Sequence, residues 1–178
     1  DNQLINTVEK NLAYNDGKAG FEFSPSIEAG LWEYRFETSF LKDGKNIAGS
    51  SFDNIVWGDV FLINGQSNSH PYRKEAVYKN EFCRSFGKNT NYSEYNPADT
   101  LWGVASGDHH QDFHVSAWGI RLMKQLVEDH KIPIAIINGG SGGSSIEYNL
   151  PKEDDLMSLN STYGRLLYRA RKAGVANN

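Results

Sequence analysis

The sequence has 178 residues and a mass of 20.0 kDa, which suits one domain, or one domain and part of a second. A formal net charge of -4 argues against a basic nucleic-acid-binding surface. No window approaches the roughly 18 consecutive apolar residues of a membrane-spanning helix. The single cysteine, Cys83, excludes an intramolecular disulfide and a zinc cluster made of cysteines.

Residues 1–52 form a β-rich segment in our interpretation, and residues 53–178 form a second unit. Apolar and polar residues alternate from Trp32 to Phe40, which is the period of a half-buried strand. The Asp43-Gly44 pair then predicts a tight hairpin turn, because both residues tolerate positive φ angles. With residues 47–52 as the returning strand, we expect a hairpin over residues 31–52.

Beyond Trp57 the pattern changes to buried strands and amphipathic helices. The apolar run 60–63 lies between two glycines and predicts a strand covered on both faces, as in a parallel sheet. The polar stretch from Ser67 to about Val115 has no clear periodicity, which is typical of a functional loop region or of poorly ordered chain.

The last third of the sequence predicts a helix, a strand and a second helix. Ser116 is the expected cap of a helix that ends near Lys131. Residues 132–138 predict a second buried strand, and a cap at Asn160 or Ser161 begins a helix that ends near residue 174. This order predicts an α/β fold with a parallel sheet that is incomplete at the C-terminus, since residues 175–176 look like the start of another strand.

Two glycine-rich turns follow the predicted strands, at the sheet edge where open α/β proteins bind ligands. The first, residues 64–69, places Ser67 two residues after a glycine, a spacing that suits an exposed nucleophile but also occurs in ordinary loops. The second, residues 139–145, offers backbone N–H groups to an oxyanion or a phosphate. It lacks the last glycine of the dinucleotide fingerprint and the lysine of a P-loop, which argues against nucleotide binding.

These two turns carry a resemblance to a known family. Residues 57–68 (WGDVFLINGQSN) and 141–147 (SGGSSIE) resemble the first and second blocks of the sialate O-acetylesterase and acetylxylan esterase branch of the SGNH (GDSL-like) hydrolases. Residues 116–137 resemble the helix and strand between those blocks, so the resemblance covers roughly residues 50–176. It implies a three-layer, flavodoxin-like parallel sheet that removes acetyl groups from sugars or polysaccharides without a metal or organic cofactor.

The resemblance also implies roles for individual residues. Ser67 is the expected nucleophile and its backbone N–H an oxyanion donor, with the N–H of Gly143 as a second donor. The neighbouring positions are expected to contact the substrate, Asn68 mainly by organising its loop: Gln66, Asn68, Gly142 and Ser144.

Two further blocks of the family are absent from these 178 residues. One is Trp-x-Gln-Gly-Glu, whose Gln gives a third oxyanion donor, and the other is Asp-x-x-His, which supplies the general base and its orienting carboxylate. No Asp in the sequence has a His three residues later. We therefore expect both blocks to follow Asn178 in a longer polypeptide, and we expect negligible activity from the 178 residues alone.

Other functions stay open at this point. A non-catalytic sugar-binding or interaction module could use the same fold, and a thioesterase or lipase of the same superfamily is a third possibility. The start at Asp1 and the resemblance together favour an exported protein, secreted, periplasmic or at the cell surface.

Several histidines and aromatic residues in the polar stretch offer additional chemistry. His109, His110 and His114 could hold a metal ion or replace the missing base, but no helical spacing brings them together, so we expect a solvated loop and no metal. His70 is too close to Ser67 along the chain to be aimed at its hydroxyl. Three aromatic residues could stack on sugar rings or simply pack under the loop: Tyr92, Tyr95 and Trp102.

Overall fold

The structure is a computed structural model, and it describes residues 3–69, 71, 76–87, 96 and 100–175. Tyr92, Tyr95 and His70 lie outside these ranges. The elements, in chain order, are β1 (Tyr34–Lys42), β2 (Lys45–Ile55), β3 (Asp59–Ile63), β4 (Cys83–Phe86), β5 (Trp102–Val104), α1 (Ser116–His130), β6 (Ile134–Asn138) and α2 (Thr162–Lys172).

Strands β1 and β2 form a two-stranded antiparallel hairpin. Asp43 and Gly44 make its turn with φ angles of 51° and 73°, the left-handed conformation that a two-residue hairpin turn requires. The strand β2 ends at Ile55, three residues past the predicted end of the hairpin. The division of the chain into two units near residue 52 stays a prediction.

The second sheet has four strands in the order β3-β6-β4-β5. The strands β3, β6 and β4 are parallel to their neighbours, whereas β5 is antiparallel to β4. The sheet is therefore mixed: the predicted parallel pairing is found for β3, β6 and β4, and the antiparallel β5 departs from the predicted parallel sheet. The fold is α/β, as the order of elements indicates.

The strands β4 and β5 lie inside the stretch that the sequence describes as an aperiodic loop. They have four and three residues, which is too short for a periodic signal, and β4 is buried throughout although it contains Arg84 and Ser85. The guanidinium of Arg84 hydrogen-bonds the side-chain oxygen of Asn54 and lies 3.8 Å from a carboxylate oxygen of Glu33. These polar contacts allow a charged residue in a buried strand.

The two α-helices cover opposite faces of this sheet. Ile134 and Ile136 of β6 pack with Ile120 and Met123 of α1, whereas Ile137 packs with Leu166 of α2. Successive residues of a strand point to opposite faces, so the molecule has three layers in this region, with β6 buried on both sides.

The strand β3 departs from the expectation that it is covered on both faces. It lies at the edge of the four-stranded sheet, and within the described residues it pairs with β6 alone. Phe61 and Leu62 remain 39% and 49% exposed. The prediction of burial is therefore right for β6 and wrong for β3.

The helix ends follow their sequence signals with small shifts. α1 starts with Ser116 itself, whose hydroxyl accepts a hydrogen bond from the N–H of Gly119 at 3.3 Å. Lys131 ends the helix in a left-handed conformation. α2 begins after Ser161, whose hydroxyl accepts from the N–H of Gly164 at 3.0 Å, so Ser161 is the cap. Neither helix in the described ranges has the length and apolar character needed to cross a bilayer.

Candidate functional site

The turn after β3 exposes Ser67. Gly65 has a φ angle of +136°, which side-chain-bearing residues rarely adopt, and it redirects the chain at the end of the strand. Residues Ser67–Ser69 then form one 3-10 turn. Both the N–H and the hydroxyl of Ser69 donate to the Gln66 carbonyl, at 2.8 and 2.7 Å. This closed turn leaves Ser67 and Asn68 exposed to solvent.

The side chain of Gln66 folds over Ser67. Its Oε1 accepts hydrogen bonds from the Ser67 hydroxyl at 2.8 Å and from the Ser67 N–H at 3.1 Å. That N–H is the one expected to stabilise an oxyanion. A substrate oxygen can reach it only after the Gln66 amide has moved aside.

The glycine loop after β6 lies directly beside this turn. The N–H of Gly139 donates to the Ile63 carbonyl at 2.8 Å, and the N–H of Ser141 donates to the Gly65 carbonyl at 2.9 Å. These bonds continue the parallel β3–β6 pairing past the ends of both strands. The structure therefore brings together the two turns that are 70 or more residues apart in the sequence.

Within the glycine loop the expected site residues have different surroundings. Gly142 and Gly143 are exposed, and Gly143 has a φ angle of +70° with open space around its Cα. The hydroxyl of Ser144 donates to the Ser141 carbonyl at 2.8 Å and accepts from the Asn149 amide at 2.7 Å. Ser144 thus supports the loop from inside, and its contact with substrate stays a prediction.

Asn149 is a buried organising residue of this site. Its side-chain amide donates to Ser144 and to the Ser145 carbonyl, its Oδ1 accepts from the Thr162 hydroxyl at 2.8 Å, and its carbonyl accepts from the Asn64 amide at 2.9 Å. It therefore ties the glycine loop, the start of α2 and the end of β3 to one another. Sequence reasoning missed it, because an Asn in a polar loop has no distinctive pattern.

Trp118 of α1 supports the Ser67 turn through a hydrogen bond to its last residue, Ser69. Its indole N–H donates to the Ser69 carbonyl at 2.6 Å, and the ring stays 40% exposed. The structure therefore places Trp118 against the turn that contains the candidate nucleophile. A half-exposed indole against the Ser67–Ser69 turn offers an apolar surface to a substrate.

A buried polar pair lies where the glycine loop leaves the sheet. Nδ1 of His114 lies 3.3 Å from the Asn138 amide nitrogen, which also donates to the His114 carbonyl at 3.2 Å. Oδ1 of Asn138 accepts from the N–H of Gly140 at 2.9 Å. His114 therefore belongs to the packing around the end of β6.

The other two histidines of that stretch do come together. Ligating atoms of Asp108, His109 and His110 all lie within 4.8 Å of one another. Asp108 and His109 are half-buried and His110 is exposed. Two of the three histidines that could cluster therefore do lie together, on a loop that stays partly exposed to solvent, whereas His114 is buried apart from them. Trp102 lies in β5, and its ring meets that of Phe86 edge to face at 5.0 Å.

Two charged residues adjoin the glycine loop: Glu147 follows it along the chain, and Arg169 contacts the Asn138 carbonyl directly before it. The Ser145 side chain hydrogen-bonds the exposed Glu147 carboxylate and lowers its pKa, so this charge persists in mildly acidic solution. The buried Arg169 of α2 donates to the carbonyls of Phe86 at 3.0 Å and Asn138 at 2.8 Å. An arginine on an amphipathic helix gave no sequence signal for this buried position.

Comparisons with known proteins give limited similarity. No protein family profile matches the sequence, and no curated protein matches it. The structure is similar to the crystal structure of a carbohydrate acetylesterase from Xanthomonas citri, with 18% identity and a TM-score of 0.48. The match covers 71% of this chain, and the chain spans about a third (33%) of that esterase. A likeness at this level assigns no activity to the chain by itself.

Proposed function

We propose that this chain carries the nucleophile of a serine-type carbohydrate O-acetylesterase, with Ser67 as that nucleophile. One observation carries the proposal: the exposed Ser67 turn and the glycine loop are hydrogen-bonded side by side through Gly65 and Ser141. They lie at the carboxyl ends of adjacent parallel strands, where α/β proteins bind ligands. The resemblance of both turns to esterase blocks gives the reaction class.

In this mechanism the Ser67 hydroxyl attacks the carbonyl carbon of an acetyl ester. The N–H groups of Ser67 and Gly143 stabilise the oxyanion of the tetrahedral intermediate. One such donor is typically worth about 2.7–4 kcal/mol of transition-state stabilisation. The bond between the acetyl carbon and the sugar oxygen then breaks, and the sugar leaves as a hydroxyl with the proton that the base took from Ser67. Water hydrolyses the acetyl-serine to acetate and free Ser67.

The general base is a separate part of the proposal. A serine is a weak nucleophile until a base takes its proton, and the sequence lacks the Asp-x-x-His pattern that provides one in the resembling family. We assign the base, its carboxylate and a third oxyanion donor to polypeptide outside these 178 residues. Acetylated sialic acid or xylan is the proposed substrate, on the strength of the two sequence blocks alone.

The test is hydrolysis of an aryl acetate and of acetylated sugars by the natural polypeptide that contains these residues. Ser67→Ala removes the attacking oxygen, and we expect turnover to fall at least about a thousandfold. Ser26→Ala, at an exposed serine far along the chain from both turns, is the matched control and should keep full turnover. Retained activity in a folded Ser67→Ala protein would overturn the assignment.

Assays of the 178 residues by themselves locate the base. The proposal expects negligible turnover from them, whereas turnover equal to that of the natural polypeptide would place the base inside this sequence.

Comparing acetyl with octanoyl esters separates a sugar acetylesterase from a lipase or thioesterase, since the proposal expects acetyl esters to be preferred.

A non-catalytic sugar-binding module is the second candidate. The absent Asp-x-x-His pattern favours it, as does the Gln66 side chain that occupies the N–H of Ser67. This candidate predicts that the natural polypeptide binds oligosaccharides in a calorimetric titration and hydrolyses no ester.

A further inference from the structure

The loop between β5 and α1 has a closed base. The N–H of Val115 donates to the Ser106 carbonyl at 2.8 Å, and the N–H of Ser106 donates to the Phe113 carbonyl at 3.1 Å. The preceding residue, Ala105, is fixed to β4 through the Cys83 carbonyl at 2.8 Å. Residues 107–112 therefore project from a base that is hydrogen-bonded to itself and to the sheet.

Short local bonds shape the tip of this loop. A carboxylate oxygen of Asp108 accepts from the N–H of His110 at 2.9 Å, and the Asp108 carbonyl accepts from the N–H of Gln111 at 3.1 Å. The N–H of Asp108 donates to the Ser106 hydroxyl oxygen at 3.2 Å. These contacts hold the Asp108 carboxylate on the same side of the turn as the two histidines that follow it.

We propose that Asp108, His109 and His110 bind one divalent transition-metal ion, with Zn²⁺ as the best match. Their ligating atoms lie within 4.8 Å of one another, and no other group of three such residues meets this spacing within the described ranges. Tetrahedral zinc bonds to His and Asp of about 2.0–2.2 Å place pairs of ligand atoms about 3.3–3.6 Å apart, so side-chain rotations that bring the three ligand atoms closer together complete the site.

The donor types select the ion. Two imidazole nitrogens favour Zn²⁺, Ni²⁺ or Cu²⁺ over Mg²⁺ and Ca²⁺, which prefer sites made of oxygen. The two imidazole rings lie 3.9 Å apart between centroids, at 39° to each other. Three protein ligands leave at least one coordination position for water.

The proposal is independent of the esterase assignment, because its test needs no catalysis. The probe is Zn²⁺ added to the chelator-treated polypeptide in a calorimetric titration, followed by Co²⁺ to read the ligand geometry from its visible absorption. We expect one Zn²⁺ per chain. His110→Ala should weaken binding at least about tenfold, since a lost ligand costs no less than a lost second-sphere contact.

Two variants sharpen the test. Asp108→Asn keeps an oxygen for the N–H of His110 while removing the carboxylate charge, so it should also weaken binding without opening the loop. His130→Ala, at an exposed histidine at the end of α1, is the matched control and should leave binding unchanged. Failure to bind Zn²⁺, or binding that His110→Ala leaves intact, would overturn the proposal.

Discussion

A single side chain controls access to the proposed catalytic atoms. The Gln66 amide oxygen accepts hydrogen bonds from both the hydroxyl and the N–H of Ser67, at 2.8 and 3.1 Å. It therefore holds the place that a substrate oxygen needs. A hydrogen bond of this kind contributes about 0.5–1.5 kcal/mol net, which a bound ester can offset by making the same bond itself. The amide is thus a displaceable substitute for the substrate carbonyl.

The Cys83 thiol gives a prediction that depends on pH. Cys83 lies in β4 within the core, and burial raises its thiol pKa from 9.0 to about 11, against the opposing effect of the Arg84 charge. Because the unfolded thiol ionises at lower pH than the folded one, the folded protein should lose stability as pH rises from about 9 to about 11.

We expect ionisation of this thiol on unfolding to lower the free energy of unfolding by about 1–2 kcal/mol between about pH 8 and pH 10. Urea unfolding at both pH values measures it, with Cys83→Ala as the reference, because that variant keeps every other titrating group. The wild-type protein should lose more stability than Cys83→Ala over this interval. Equal losses in the two proteins would show that the thiol does not ionise differently on unfolding.

The start of α2 gives a prediction at the scale of an element. Ser161 is fully buried, and its hydroxyl accepts from the N–H of Gly164, one of the helix donors without an intrahelical partner. Ser161→Ala should lower the free energy of unfolding by about 0.5–2 kcal/mol, whereas Ser161→Gly should cost only about a few tenths. Thermal or urea unfolding measures both. If Ser161→Ala were as stable as the wild type, the Ser161 hydroxyl would not stabilise the start of α2.

Sequence patterns predicted the elements whose signals are local. The Asp43-Gly44 turn, the cap at Ser161 and the fully buried β6 all follow from nearest neighbours along the chain. The strands β4 and β5 were missed because both are too short for a periodic signal, and β4 is buried by residues far away in sequence, such as those of β6. The polar atoms of Arg84 and Ser85 conceal a buried strand. The exposed β3 differs for the same reason, since an apolar run does not reveal which of its faces has a neighbour.

The candidate site shows the same division. The two turns were predicted as neighbours from the parallel-sheet rule, and the hydrogen bond between Ser141 and Gly65 brings them together. The supporting contacts could not be predicted. The Trp118 bond to Ser69 and the four contacts of Asn149 join residues that only tertiary packing brings near one another. The sequence named His109 and His110 as possible ligands but could not predict how close they lie to Asp108, because no regular element fixes the shape of their turn.

At the scale of the whole molecule, one buried cation connects α2 to two strands. The guanidinium of Arg169 donates to the carbonyls of Phe86, the last residue of β4, of Gly87 directly after it, and of Asn138, the last residue of β6. Asn138 in turn positions Gly140 through its side chain. Arg169 of the helix α2 therefore supports the start of the glycine loop through its bond to Asn138.

Arg169→Met keeps most of the side-chain volume and removes every one of these donors. We expect it to lower the free energy of unfolding by about 3 kcal/mol or more, because several buried carbonyls lose a charged donor together. The free energy of unfolding of Arg169→Lys should lie between those of the wild type and Arg169→Met, since an ammonium keeps the charge but cannot reproduce the planar guanidinium. Lys172→Met, at an exposed position of the same helix, should stay within about 0.5 kcal/mol of the wild type. Urea unfolding of the four proteins measures the series. If Arg169→Met were as stable as Lys172→Met, the guanidinium would not be what joins the helix to the two strand ends. The loop that contains Gly143 would then be held by Asn149 and by the hydrogen bonds of Gly139 and Ser141 to Ile63 and Gly65.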